Sequence, residues 1–219
     1  KSLFLIVVMV QYNSIYKPKT LQTQALPTLA ALYARLETSF ETLWRKYNQE
    51  NINAGGESLW EIPFSAGRGR MLFTFAVRHT SNDQYHANGS NRGGQAGPLP
   101  YIFYDYDEAD TRRNVTCVPY LYGAAVAGVA KQQLGALNKW YFGKYRYEWM
   151  NRFVTSTNDD GINKMYMRYA EIYLMAAEAS NQLVGPSAAA PYLKEIRRRA
   201  FAPALHSVKV DAYVDAINS

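Results

Sequence analysis

The sequence predicts a mainly α fold in which helical hairpins carry an irregular, loop-rich annex with short β-strands. Three observations support this. Apolar residues recur at three- and four-residue steps over residues 26–47 and again over 164–200, the spacing that lines one face of a helix. Between them, residues 65–100 lose all periodicity and hold Gly67, Gly69, Gly89, Gly93, Gly94 and Gly97 with Asn82, Asn88 and Asn91. Of 219 residues, 48% are apolar and 19% charged, a balance that excludes a disordered chain. With so little charge, the wet surface must come from amides, hydroxyls and the 18 tyrosines. Such a surface suits a secreted or cell-surface binding protein.

Residues 1–56 read as an N-terminal helical segment whose start matches no pattern. Within it Leu29, Leu32, Tyr33, Leu36, Phe40, Leu43, Trp44 and Tyr47 share a face, and Pro27 sits where a first turn tolerates proline. Asn51 to Gly56 ends the helix. Residues 57–163 form the annex. Glu57–Phe64 (ESLWEIPF) alternates as a short strand closed by Pro63. Met71–Val77 reads as a strand and Tyr101–Asp107 (YIFYDYD) as extended. Val115–Val129 begins strand-like and then turns small and helix-tolerant. Asn138–Met150 packs Trp140, Tyr141, Phe142, Tyr145, Tyr147 and Trp149 between basic residues, and Asn158–Gly161 is a turn.

Residues 164–200 read as a helical hairpin. Tyr169, Ile172, Ala176, Ala179 and Leu183 line the first helix, which Gly185 and Pro186 stop. Ser187 is the expected N-cap of the second helix, with a start that can slip to Ala190 because Pro191 removes a backbone bond. Alanines at 176, 177, 179, 188 and 189 permit close approach, as in tetratricopeptide-like hairpins. Residues 201–219 are a tail.

Several chemistries drop out. Cys117 is the only cysteine, so neither an internal disulfide nor a cysteine zinc site is available. His79, His86 and His206 lack zinc-protease spacing. Leu3–Val10 is too short to span a bilayer and reads as a buried strand or helix. The net charge of +6 is scattered, and Arg197, Arg198 and Arg199 fan around a helix, so nucleic acid is not an expected partner. No serine elbow, phosphate loop or calcium loop is present. Glu57 and Glu61 would stand ~13 Å apart in a strand, too far for a glycosidase pair at ~5–9.5 Å. An enzyme is not expected, nor is a cofactor or a metal.

The motifs resemble one family. Arg168–Ala179 (RYAEIYLMAAEA), Gly185 and Tyr192–Ala200 (YLKEIRRRA) look like the C-terminal helical hairpin of the SusD/RagB family. Glu57–Ile62 (ESLWEI) resembles its ESIFEI strand, Asp110-Thr111-Arg112 its D-x-R turn, and Trp140–Tyr145 its KY strand. The match runs from about Glu57 to Ala200. It implies a non-catalytic surface lipoprotein that captures an oligosaccharide at the outer membrane. It also implies delivery of that ligand to a SusC/RagA-like TonB-dependent transporter. Members of the family are longer and begin with a lipidated cysteine and further helix pairs. This chain therefore reads as a C-terminal portion, tied to the membrane only through an N-terminal lipid anchor that it does not carry.

By the same resemblance, the excursion after the ESIFEI-like strand lies on the ligand side. Arg78, His79, Tyr85, His86, Asn88 and Tyr101 are the candidate ligand-binding residues, with Asn82 and Asn91 beside them. Aromatic faces suit the C–H side of sugar rings, while guanidinium and amide groups suit the hydroxyls. The bland reading makes this tract a scaffold loop or a transporter contact. Trp44, Trp60, Trp140, Tyr141 and Trp149 are expected in the core. Arg168 either pairs with Glu171 one turn on or clamps a neighbouring element. The alternative function is a helical-repeat module that binds a protein or peptide.

Overall fold

The computed structural model describes residues 35–51, 56–64, 67–85, 92–136, 138–154, 158 and 160–217. Seven α-helices and six short strands are found among them, and the fold is mainly helical. The described residues fall into two compact units. One gathers 35–36, 56–59 and 167–217; the other runs through 37–51 and the described part of 60–166.

In the second unit, helix α1 spans Phe40–Asn48. It starts where Ser39 breaks into extended backbone and its hydroxyl accepts the Thr42 N–H at 3.0 Å. The periodicity predicts a helix from residue 26; residues 35–39 are not helical, and the part before 35 lies outside the described residues. Phe40, Trp44 and Tyr47 bury one face of α1 against Met71, Leu72, Tyr145, Tyr147, Trp149 and Ile162. Asn48 ties the helix end to the chain opposite: its amide donates to the Trp44 and Lys144 carbonyls (2.7 and 2.8 Å) and its carbonyl accepts from the Arg146 N–H (2.7 Å).

Strand β1, Ser58–Ile62, follows the predicted ESLWEI strand. Met71–Phe75 is a helix, α2, rather than a strand. Its cause is remote: the Asp160 carboxylate accepts the Leu72 N–H at 2.8 Å and caps the first turn. Tyr101–Asp105 is likewise a helix, α3, rather than extended. Pro100, at φ −56°, is preset for the helical region and leads the chain into it. Helix α4, Arg112–Thr116, follows the Asp110–Arg112 turn, where Asp110 Oδ1 accepts the Arg112 N–H and Nε–H, both at 2.9 Å.

Strands β2 (Cys117–Val118), β3 (Tyr120–Tyr122), β4 (Gln132–Leu134) and β5 (Tyr141–Phe142) make two small antiparallel pairs. In β2–β5, Val118 faces Tyr141; in β3–β4, Leu121 faces Gln133. The helix-tolerant stretch that follows β3, residues 124–130, is instead a hairpin turn. Ala127 (φ 51°) and Gly128 (φ 79°) both take left-handed backbone, and Val126 and Val129 exchange hydrogen bonds of 3.0 Å. Residues 141–150 bury alternate side chains, including Tyr145, Tyr147 and Trp149, through β5 and the single-turn 3-10 helix Tyr147–Trp149. Arg45 and Arg146 both lie over the Trp149 ring, at 4.7 and 4.2 Å. Trp44, Trp140, Tyr141 and Trp149 are in the core as expected, but Trp60 is 42% exposed. Trp60 stands on the open face of β1 and packs on Tyr166 at 4.3 Å between ring centroids.

The other unit holds the hairpin. Strand β6 takes Lys164–Arg168 and pairs with β1, so the helix predicted from Lys164 begins at Tyr169. Helix α5 runs Tyr169–Leu183 and helix α6 Pro186–Arg198. Gly185 at φ 123° turns the chain between them and holds the N-cap place expected of Ser187. Helix α6 starts at Pro186 and passes through Pro191, so its start does not slip to Ala190. Ala176, Ala177 and Ala179 of α5 and Ala189, Ala190 and Ile196 of α6 are buried, which lets α6 fold back closely along α5. Tyr169 and Ile172 pack with Leu36, Leu59 and Met167.

The hairpin's base is a buried clamp. The side chain of Glu57 is fully buried and accepts from Arg168 Nη1 at 2.7 Å and from Arg199 Nη1. Arg168 therefore clamps a neighbouring element instead of pairing only along its own helix. Past α6 the chain makes a π-helix, His206–Ala212, and helix α7, Tyr213–Ile217. Arg197 fastens them by donating to the Lys209 carbonyl (3.0 and 3.1 Å) under the Tyr213 ring, 3.9 Å away.

Candidate functional site

Residues 78–80 are held between two other segments. His79 exchanges backbone hydrogen bonds with Arg92 (2.7 and 2.9 Å), while Tyr122 N–H donates to the Arg78 carbonyl (2.8 Å) and Thr80 N–H to the Tyr122 carbonyl (3.1 Å). This ladder turns the His79 imidazole inward, where it is 0% exposed. It stacks on Tyr122 at 4.4 Å and meets Tyr85 and Tyr147 edge-on at 5.9 and 5.1 Å. Its Nδ1 lies 2.7 Å from Asp83 Oδ2, and its Nε2 lies 3.9 Å from Glu148 Oε2. Burial works against the charged ring, but the Asp83 and Glu148 carboxylates outweigh it and raise the His79 pKa above 6.5. Burial also pushes the Tyr120 hydroxyl up to about 12, so Tyr120 stays neutral.

Of the six predicted residues, Arg78, His79, Tyr85 and Tyr101 lie among the described residues. His79 and Tyr85 share the ring cluster; Tyr85 is half-buried, and His79 offers no surface to a ligand. Arg78 is half-buried beside Tyr141, where its charge holds down a hydroxyl pKa that burial raises. Asn82 is exposed, whereas His86, Asn88 and Asn91 lie outside the described residues. Tyr101 stands apart on α3, 59% exposed.

Around Tyr101 the structure builds an aromatic platform. Tyr101 and Tyr104 are three residues apart on α3 and so share a face, and Tyr104 is 69% exposed. Tyr104 and Phe103 pack on the buried Trp140 at 5.7 and 4.7 Å, and the Arg113 guanidinium lies 4.6 Å over Phe103. Loop 92–100 brings α3 to Trp140. A side chain at Gly97 would overlap the Trp140 carbonyl oxygen, so glycine there permits the approach. Tyr104, Trp140 and Arg113 have no place among the residues the sequence proposes for the site. The aromatic run YIFYDYD is visible, but read as a strand it does not put Tyr101 and Tyr104 on one side. Tyr122 and Glu148 have no local signal at all, being 43 and 69 residues from His79.

The carboxylates just before and within β1 are occupied structurally: Glu57 by two arginines, and Glu61 by the Asn163 amide at 2.7 Å. Among the described residues no group of three or more His, Cys, Asp or Glu side chains could hold a metal ion. Among them, too, no helix is long and apolar enough to cross a membrane.

A hairpin-based helical scaffold bearing a loop-rich annex with exposed aromatic rings is the class of protein that fold and site define. The SusD family model matches residues 56–218, and the chain belongs to that family. Two SusD-like proteins of Formosa agariphila are similar to it. Protein P2 is 29% identical over 178 residues, covering 76% of this chain and 34% of P2, and protein P25 is 50% identical over 40 residues, covering 18% of this chain and 8% of P25. A SusD homolog from Bacteroides thetaiotaomicron shares the fold with a TM-score of 0.64 at 16% identity, over 97% of this chain and 48% of that one. So does surface glycan-binding protein A of the same organism, solved with laminarihexaose, with a TM-score of 0.59 at 18% identity over 97% and 52%. The chain spans about half the length or less of each relative.

Proposed function

We propose that this chain is part of a non-catalytic cell-surface protein that binds an oligosaccharide and passes it to a TonB-dependent transporter at the outer membrane. The observation that supports the reading best is the exposed Tyr101–Tyr104 face, backed by Trp140, on a SusD-family scaffold. Tyrosine rings at that exposure offer flat apolar area to sugar C–H groups while keeping their hydroxyls wet. Two structural relatives point the same way, one solved with laminarihexaose and one a laminarin-binding SusD-like protein. The test is calorimetry of the chain against a polysaccharide panel that includes laminarin, with a reducing-sugar assay alongside. Binding without release of reducing ends, weakened at least about tenfold by Tyr104→Ala, supports the reading. Binding to peptides but to no polysaccharide would favour the helical-repeat alternative. Sustained sugar release would make the protein an enzyme.

A further inference from the structure

The two carboxylates beside His79 reach it from different segments. Asp83 lies four residues on along the same segment, and Glu148 comes from the single-turn 3-10 helix Tyr147–Trp149. The Asp83 side chain is 0% exposed and that of Glu148 10%. Neither Glu148 oxygen has a hydrogen bond within reach among the described residues; His79 Nε2 and Arg146 Nη1 each stand 3.9 Å away. A neutral imidazole carries one N–H, so it serves one carboxylate and turns a lone pair toward the other. An imidazolium carries two: Nδ1–H bonds to Asp83 at 2.7 Å, and Nε2–H faces Glu148 at 3.9 Å as an ion pair outside hydrogen-bond distance. The remaining groups around the ring do not replace it. Tyr122 lies flat on it, and Tyr85 and Tyr147 meet it edge-on. Tyr120 accepts from Arg146 Nη1 at 2.7 Å, and its own hydroxyl is placed to donate toward Glu148, but as a neutral group it does not balance that charge. Arg92, on the adjoining segment, directs Nη1 to the Val154 carbonyl at 2.6 Å.

We propose that His79 is held as an imidazolium between Asp83 and Glu148, a buried proton that fastens residues 79–85 to the Arg146–Trp149 segment. Asp83 Oδ1 also accepts the Tyr85 N–H at 2.9 Å, so the fastening sets the Tyr85 backbone, and it does so whatever ligand the protein takes. The raised pKa of the ring agrees with the geometry and fixes the sign. The fastening is fully present below pH 6.5 and is lost as pH rises through the folded value.

The test is an NMR titration of the histidine rings in the full chain, with His79 assigned by elimination using His86→Gln and His206→Gln. A midpoint above 6.5 that falls in both Asp83→Asn and Glu148→Gln is expected. Exchange of the Tyr85 amide is also expected to accelerate by more than the ordinary tenfold per pH unit as the ring deprotonates. A midpoint at or below 6.5, or one unmoved by Glu148→Gln, overturns the proposal. Neither outcome depends on finding the glycan.

Discussion

Glu57→Gln is the substitution whose cost follows most directly from the structure. The change keeps volume and shape but removes the anion that faces Arg199, whose side chain is only 5% exposed, and Arg168, whose side chain is 28% exposed. Removing one partner of a buried pair strands the other charge, which costs about 3–5 kcal/mol. Against the roughly 5–15 kcal/mol that holds a domain folded, that is a large share. At ~2–4 °C per kcal/mol for a chain of this size, the melting temperature should fall by about 6–20 °C. The assay is urea and thermal unfolding followed by circular dichroism at the helix band, to which α5 and α6, the two longest helices among the described residues, contribute most. Trp44, Trp60, Trp140 and Trp149 all belong to the other unit, so their fluorescence followed in parallel reports that unit separately. Adding Arg199→Met should recover about 1 kcal/mol or more, because the second change removes the stranded cation. A Glu57→Gln variant within about 1 kcal/mol of the parent, with no recovery in the double variant, would refute the clamp.

Tyr101→Ala and Tyr104→Ala should each weaken glycan binding while moving the unfolding midpoint by less than about 0.5 kcal/mol, since both rings are mostly exposed; calorimetry and urea unfolding on the same samples check this. Trp149→Ala, in contrast, empties a site where the ring is 5% exposed and should cost ~3–5 kcal/mol in urea unfolding. Burial raises the Asp160 carboxyl to about 6 from 3.8, so the folded state favours its protonated form. Stability from this group is therefore full below pH 3.8 and lost as pH rises to about 6, worth roughly 3 kcal/mol at ~1.4 kcal/mol per pKa unit. Asp160→Asn should flatten that stretch of the stability–pH curve, and parallel curves for the two proteins would contradict the assignment.

The hairpin is legible because Tyr169–Leu183 and Ala189–Ala200 repeat at helical spacing over several turns, and Gly185 with Pro186 punctuates them. The strand Ser58–Ile62 is legible from alternation, though alternation does not say which face is covered, so Trp60 is expected inward and stands outward. Lys164–Arg168 reads as the first turn of a helix on local pattern; its pairing with β1, a hundred residues away, makes it a strand. Met71–Phe75 and Tyr101–Asp105 are five-residue apolar runs, too short for period 2 and period 3.6 to be told apart. What decides them lies outside the run: the Asp160 cap for one, Pro100 for the other. The candidate site suffers the same way. Its residue types come from one loop, whereas His79 is buried by Tyr122 and Tyr147, and Tyr101 lies on the same short helix as Tyr104, whose ring packs on Trp140.

The Glu57 clamp joins residues 111 and 142 positions apart along the chain. Contacts of such high order close late, because a long loop must be ordered before they repay its entropy. During synthesis the glutamate emerges first, and Arg168 and then Arg199 follow. A product truncated just before Arg199 would therefore close the clamp with only one of these two arginines.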